Sequence, residues 1–126
     1  MPSATLEHVN FTVSDPQATA KRLCALFDWH IRWEGEAINK GYTVHVGSET
    51  SYLAIYSRGT PEAPQNSYET RAGLNHIGIV VDDLDAAEAR VKAAGFETHS
   101  HADYEPGRRF YFHDPDQIEF EVISYT

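Results

Sequence analysis

Residues 6–25 read LEHVNFTVSDPQATAKRLCA and residues 74–93 read LNHIGIVVDDLDAAEARVKA. Laid over one another at an offset of 68 positions, they match Leu6 to Leu74, His8 to His76, Val9 to Ile77, Val13 to Val81, Asp15 to Asp83, Ala18 to Ala86, Arg22 to Arg90 and Ala25 to Ala93. The chain is an internal repeat, and each copy carries the same local code. Alternation of period two (Val9, Phe11, Val13; Ile77, Ile79, Val81) predicts a strand with one buried face. The alternation stops at helix-start chemistry: Ser14-Asp15-Pro16 in the first copy and Asp82-Asp83 in the second supply carboxylate N-caps, with Pro16 preset for the first helical turn. Ala/Leu-rich helices follow over about Gln17–Phe27 and Asp85–Ala94, the second closed by Gly95.

Working outward, each helix is followed by strand patterns. GYTVHVG (41–47) and SYLAIY (51–56) lie either side of a turn in the first copy. RRFYF (108–112) and IEFEVI (118–123) flank His113-Asp-Pro-Asp-Gln117 in the second, where Pro presets φ and Asp side chains bond nearby backbone. Short strands near Trp29–Glu34 and Glu97–His101 complete each copy. The expected fold is α+β, two tandem βαβββ modules over 4–57 and 73–126, joined by a Gly/Pro-containing linker at 58–72 and forming one domain over 1–126.

The chain has 126 residues, with 10 Lys+Arg against 19 Asp+Glu and a formal charge of −9. Its length suits one domain that folds without staples. The single Cys24 excludes an intramolecular disulfide and a multi-thiolate zinc site, and is read as a small buried hydrophobe in the first helix. An acidic balance with three lysines argues against a nucleic-acid partner. No apolar run reaches the roughly 20 residues of a membrane span. MPSATLEHVN has neither a basic flank nor an apolar core, so no export signal is expected and the reducing cytoplasm is the expected compartment.

Strand parity turns Val9, Phe11 and Val13 one way and His8, Asn10 and Thr12 the other; in the copy it leaves His76 and Gly78 opposite the helix-facing residues. Glu119, Glu121 and Ile123 share a face of the last strand. If the modules pair side by side, their non-helix faces line one concavity and His8, His76 and Glu121 converge there. Two neutral imidazoles and a carboxylate leave several positions of a divalent ion open, so two neighbouring oxygens of a small substrate can bind as a chelate. His30, His45, His99, His101 and His113 have no repeat partner and are read as surface residues or supports around that site.

With these residues in view, the LEHVNFTVSD and LNHIGIVVDD segments and FYFHDPDQIEFEV near the C-terminus resemble the vicinal oxygen chelate superfamily, which includes glyoxalase I, extradiol dioxygenases, fosfomycin-resistance enzymes and bleomycin-resistance proteins. The most specific element is the DPD turn with Glu121 seven residues after Asp114. The resemblance implies a cup-shaped sheet, a divalent metal held by His8, His76 and Glu121, and a homodimer. Glyoxalase I adds a fourth ligand on the last strand of the first module, where this chain has SYLAIYS and most simply Ala54, so that activity is disfavoured. A three-ligand site is the arrangement of extradiol dioxygenases and fosfomycin-resistance enzymes, both of which place a Tyr ten residues before the ligand Glu, as Tyr111 stands here. Its phenol is the candidate oxyanion donor. Asn10 stands where similar fosfomycin-resistance enzymes carry a hydroxyl, and Tyr104–Arg109 replaces their potassium loop. His101 lies about where the dioxygenases have a catalytic His.

Two functions are therefore expected. The first is a metalloenzyme with dioxygenase-like or lyase chemistry on a small molecule with adjacent oxygens. It uses Fe, Mn, Zn or Ni at His8, His76 and Glu121, with Tyr111 and His101 as catalytic groups. His45, Asn10, Arg109, Tyr52 and Tyr56 line the substrate site, and His45 is also an acid/base candidate. The second is a metal-free drug-binding protein of the bleomycin-resistance type, in which Tyr52, Tyr56 and Trp29 or Trp33 receive a cation.

Overall fold

The computed structural model of the chain describes residues 2–104 and 107–126. It divides into two compact units, one running to Glu62 and the other over Ala63–Thr126. The first contains β1 (His8–Thr12), α1 (Pro16–Phe27), β2 (His30–Ala37), a short 3-10 turn (Ile38–Lys40), β3 (Gly41–Gly47) and β4 (Tyr52–Ser57). The second contains β5 (Ile77–Val80), α2 (Leu84–Ala93), β6 (His99–Tyr104), β7 (Gly107–His113) and β8 (Glu119–Ser124). The sheets have orders β1-β4-β3-β2 and β5-β8-β7-β6, with β1/β4 and β5/β8 parallel and the other pairs antiparallel. The α+β class and the two βαβββ modules are as expected.

Both helices begin where the caps dictate. The Asp15 carboxylate accepts from the Ala18 N–H at 3.1 Å and Asp83 from the Ala86 N–H at 3.0 Å. Such caps contribute about 1 kcal/mol each. At the end of α2 the N–H of Gly95 donates to the Lys92 carbonyl and that of Phe96 to the Val91 carbonyl. This paired closure needs the left-handed φ of +98° that Gly95 adopts without a Cβ penalty.

Each helix covers one face of its sheet. In the first unit Ala20, Leu23 and Leu26 of α1 and Val44, Val46, Leu53 and Ile55 of β3 and β4 are buried. In the second, Leu84, Ala87 and Val91 of α2 are buried, as are Phe110, Phe112, Phe120 and Val122 of β7 and β8. Full burial of each large side chain is worth about 1.5–3 kcal/mol. The apolar face of β1 is covered only toward its end: Val13 is buried, Phe11 half-buried and Val9 40% exposed. The cause is that β1 is an edge strand and α1 leans mainly on β3 and β4.

The β7–β8 turn is held by one carboxylate. Asp114, 4% exposed, accepts from the N–H groups of Asp116 (2.9 Å) and Ile118 (3.0 Å), while its own N–H donates to the Ile118 carbonyl at 3.0 Å. This closure sets the register that pairs His113 with Glu119 and Tyr111 with Glu121.

The larger departure lies in β6. It starts at His99 and runs to Tyr104, with one extra residue between the pairs His99/Tyr111 and Ala102/Arg109. Ser100, at φ 55°, sits in this bulge. A bulge reverses the facing of the residues beyond it. His101 therefore leaves the face of Tyr111 and puts its Nε2 2.6 Å from the Glu88 carboxylate of α2.

Candidate functional site

The face of the second sheet turned away from α2 gathers several ionisable side chains. One rung runs Gly78, Glu121, Tyr111, His99 across β5, β8, β7 and β6. Beside it stand Glu119 and His113 on one side, and Ile123, Arg109 and Ala102 on the other. His76 precedes β5, and its Nε2 lies 3.2 Å from Glu121 Oε1. Gly78, the neighbour of Glu121 on β5, has no side chain to cover that carboxylate; a Cβ there would come no closer than 3.9 Å to Oε1.

The orientation of His76 is fixed from behind. Its Nδ1 lies 2.7 Å from Asn75 Oδ1. An amide oxygen accepts, so Nδ1 donates to it and Nε2 is the nitrogen that faces the carboxylate. A ring nitrogen and a carboxylate oxygen 3.2 Å apart have a spacing that fits a divalent cation, because donors about 2.0–2.2 Å from one ion stand about 3 Å apart. The second oxygen of Glu121 accepts from Arg109 Nη1 at 2.9 Å. Both side chains of this ion pair are nearly buried, at 12% and 13% exposure. Tyr111 meets the His76 ring edge-on at 5.9 Å. Burial first, and then the Glu121 carboxylate, raise the Tyr111 phenol above its ordinary pKa, so it stays a donor at neutral pH.

The first unit repeats the scaffold with other side chains. The equivalent rung is Asn10, Ala54, His45, Trp33. Ala54 thus stands at the register position of Glu121, and no carboxylate occupies it. His8 is oriented as His76 is: the preceding residue, Glu7, accepts from its Nδ1 at 2.8 Å and also from the Tyr52 hydroxyl at 3.2 Å. The His8 bond first and the Tyr52 bond second lower the Glu7 pKa. A row of rings runs across this face: His8 on Tyr52 at 4.8 Å, Tyr52 on His45 at 4.7 Å and His45 against Trp33 at 5.3 Å. The Arg32 guanidinium covers Tyr52 at 4.5 Å. Burial, then the His8 and Arg32 charges, push the His45 pKa below its ordinary value, so its ring is neutral at pH 7.

Of the other expected residues, Tyr56 donates its hydroxyl to the Ile38 carbonyl at 2.8 Å and lies over Gly41, where any Cβ would strike the ring at 2.3 Å. Trp29 packs on Phe27 at 5.5 Å, so Trp33 is the tryptophan of the ring row. His101 is held on the helix side by Glu88, and the imidazole that stacks on Tyr111, at 6.2 Å, is His99. Of the Tyr104–Arg109 connection, Glu105 and Pro106 lie outside the described residues. Arg109 lies over the Tyr104 ring at 4.7 Å.

Three residues read as incidental come together. His99, His113 and Glu119 bring ligand atoms within 4.8 Å of one another. Tyr68, from the segment joining the modules, donates a very short hydrogen bond to Glu119 Oε1. That bond, with burial second, pushes the Tyr68 phenol up to about 12. Parity is the signal that could have found them: residue 119 shares a face with 121, and 113 shares one with 111.

The family model for the Glyoxalase/Bleomycin resistance protein/Dioxygenase superfamily matches residues 5–122. No curated protein sequence matches the chain significantly. Among solved structures, a glyoxylase/bleomycin resistance protein/dioxygenase domain from Frankia sp. EAN1pec is 22% identical, with TM-score 0.83 over 99% of this chain and 100% of that one. The fosfomycin resistance protein FosX from Listeria monocytogenes, complexed with Mn(II) and sulfate, is 21% identical, with TM-score 0.74 over 100% and 95%. TnmS3, an antibiotic binding protein from Streptomyces sp. CB03234, is 18% identical, with TM-score 0.74 over 100% and 99%. At these identities the likeness is one of fold.

Proposed function

The chain belongs to the Glyoxalase/Bleomycin resistance protein/Dioxygenase superfamily, and from that premise we propose that it is a divalent-metal-dependent enzyme acting on a small molecule with adjacent oxygens. His76 and Glu121 are two ligands, and His8, the repeat counterpart of His76, is the third. The observation that carries this reading is the approach of His76 Nε2 to Glu121 Oε1, with His8 held by Glu7 through Nδ1 as His76 is by Asn75. When bound, the metal polarises the chelated oxygens and stabilises negative charge on them. The protonated Tyr111 phenol donates a hydrogen bond to that charge. Arg109 steadies Glu121 through its second oxygen, and neutral His45 is the available proton acceptor. Three protein ligands and Ala54 at the fourth position favour dioxygenase-like or lyase chemistry over glyoxalase I chemistry. Fe, Mn, Zn and Ni all suit this donor set, and the Mn(II)-bound FosX neighbour supports a divalent ion.

Metal analysis of protein purified without chelator tests the proposal: about one equivalent bound by His8, His76 and Glu121 is expected, with affinity reduced at least tenfold in Glu121→Gln. Full retention by that variant would overturn the ligand assignment. A second reading, a metal-free protein binding a basic aromatic compound, draws support from the row Trp33, His45, Tyr52 and His8. Tight calorimetric binding of such a compound in EDTA would favour it. A cytosolic homodimer is the expected state under either reading; light scattering giving a monomer mass would remove the dimer.

A further inference from the structure

Glu119 is 7% exposed, and among the described residues its only ion-pair partner is the imidazole of His113, at 3.3 Å. Glu121, two residues on, has Arg109. With no Arg or Lys paired to it among the described residues, this buried carboxylate lacks the permanent positive charge that normally balances one. The groups around it are those that ligate a transition metal. His99 Nε2 and His113 Nδ1 lie 3.2 Å apart with their rings stacked at 5.1 Å. Glu119 Oε2 faces the other ring nitrogen of His113, Nε2, at 3.3 Å, and one ligand atom from each of the three residues lies within 4.8 Å of the others, a spread that one ion can draw in. The remaining atoms hold the ligands from outside. Tyr68 occupies Glu119 Oε1 and leaves Oε2 to the cluster, while Ser100 Oγ, 2.9 Å from His99 Nδ1, leaves Nε2 to it. Metal-binding imidazoles and carboxylates are characteristically supported in this way. A cleft lined by Asn66, Ser67, Tyr68, His113 and Gln117 opens beside the cluster.

The repeat shows that the scaffold does not demand these residues. By register, His99, His113 and Glu119 correspond to Trp33, Gly47 and Tyr52 of the first unit, which form no such cluster. We propose that His99, His113 and Glu119 form a second, mononuclear site for a divalent first-row metal of the zinc type, separate from the one assigned to Glu121. Two residues along a strand is about 6.6–6.8 Å. The metals of a bridged pair stand about 3.5–4 Å apart, so a shared dinuclear centre is not what this spacing builds. With three protein donors the ion keeps one open position, facing the cleft, for water or a small anion.

The test is Zn(II) titration of tag-free protein, read by calorimetry and by imidazole NMR. In the unaltered chain, one equivalent is expected to shift the His99 and His113 ring resonances together. His113→Asn and His99→Asn should each weaken that equivalent at least tenfold, while His76→Asn and Glu121→Gln leave it in place. That pattern supports the site whether or not the site at Glu121 exists. Unmoved His99 and His113 resonances at saturating Zn(II), or loss of this equivalent in Glu121→Gln with retention in His113→Asn, would overturn it. Because the resonance test uses the unaltered chain, it stands even if a variant folds poorly.

Discussion

Replacing Asp114 with Ala removes one carboxylate oxygen that accepts from two backbone N–H groups. The Ile118 N–H stays buried after the change, since Ile118 is 8% exposed, and leaving it unsatisfied costs about 2–3 kcal/mol. The Asp116 N–H sits in a half-exposed residue, so water replaces most of its bond and the loss there is about 1 kcal/mol. The total, about 3–4 kcal/mol, is a large share of the 5–15 kcal/mol typical of a domain. Asp114→Asn keeps the acceptor but loses the charge assistance, and should cost about half as much. Urea denaturation measures both, and the chain provides a built-in partition. Trp29 and Trp33 are its two tryptophans and both lie in the first unit, whereas Asp114 lies in the second. If the units unfold independently, tryptophan fluorescence should keep its midpoint while far-UV circular dichroism shifts; if they unfold together, both shift equally. A loss below about 1 kcal/mol by either probe would refute the reasoning, because it would mean that the turn closes without the carboxylate.

Three further changes can be measured. His45 should titrate by NMR below 6.5, and its contribution works one way: the unfolded chain takes up the proton first, so stability falls as pH drops below about 6.5 toward the lower folded value; a titration at or above 6.5 would contradict the burial that lowers it. For Glu88, burial works to raise the pKa but is outweighed by the bonds from Thr98 and His101, so its stabilisation is present above 4.5 and lost as pH falls through the depressed folded value. The stability gap between the unaltered chain and Glu88→Gln should therefore close under acid titration, and a pH-independent gap would count against it. Ala54→Glu places an unbalanced carboxylate at a position 2% exposed; the cost should be about 3–5 kcal/mol at pH 7 and should shrink at pH 5, because the folded state then holds a proton that relieves the buried charge. An equal loss at both pH values would point to overpacking instead.

The fold is legible in the sequence where backbone chemistry and burial dominate. The strands, caps and turn lie within a few residues of one another, and Asp15, Asp83, Gly95 and Asp114 each act on near neighbours, so their readings transfer to the structure. Parity places Glu121 with Tyr111 and Arg109 because β7 and β8 pair without interruption. It fails at His101 because one extra residue at Ser100 flips every side chain after it, and nothing in HSHADY marks that bulge as Gly or Pro would. The cluster of His99, His113 and Glu119 escapes notice for a different reason. Searching for histidines with a repeat partner finds what the two copies share and passes over what one copy carries alone.

That difference between the copies has a physical logic. On the helix-facing side both sheets must bury apolar surface, and both do so, with Val44, Val46 and Ile55 in one and Phe110, Phe112 and Val122 in the other. The opposite face is free of that demand, but not free of electrostatics. A carboxylate deep on a sheet needs a cation within reach. Glu121 has Arg109, and by register the first unit has Thr43 where the second has Arg109. The same unit has Ala54 where the second has Glu121. The absence of the cation and of the anion go together, since either charge alone would be buried without a partner. Glu119 breaks this rule, with His113 as its only ion-pair partner among the described residues. A divalent ion at His99 and His113 restores it.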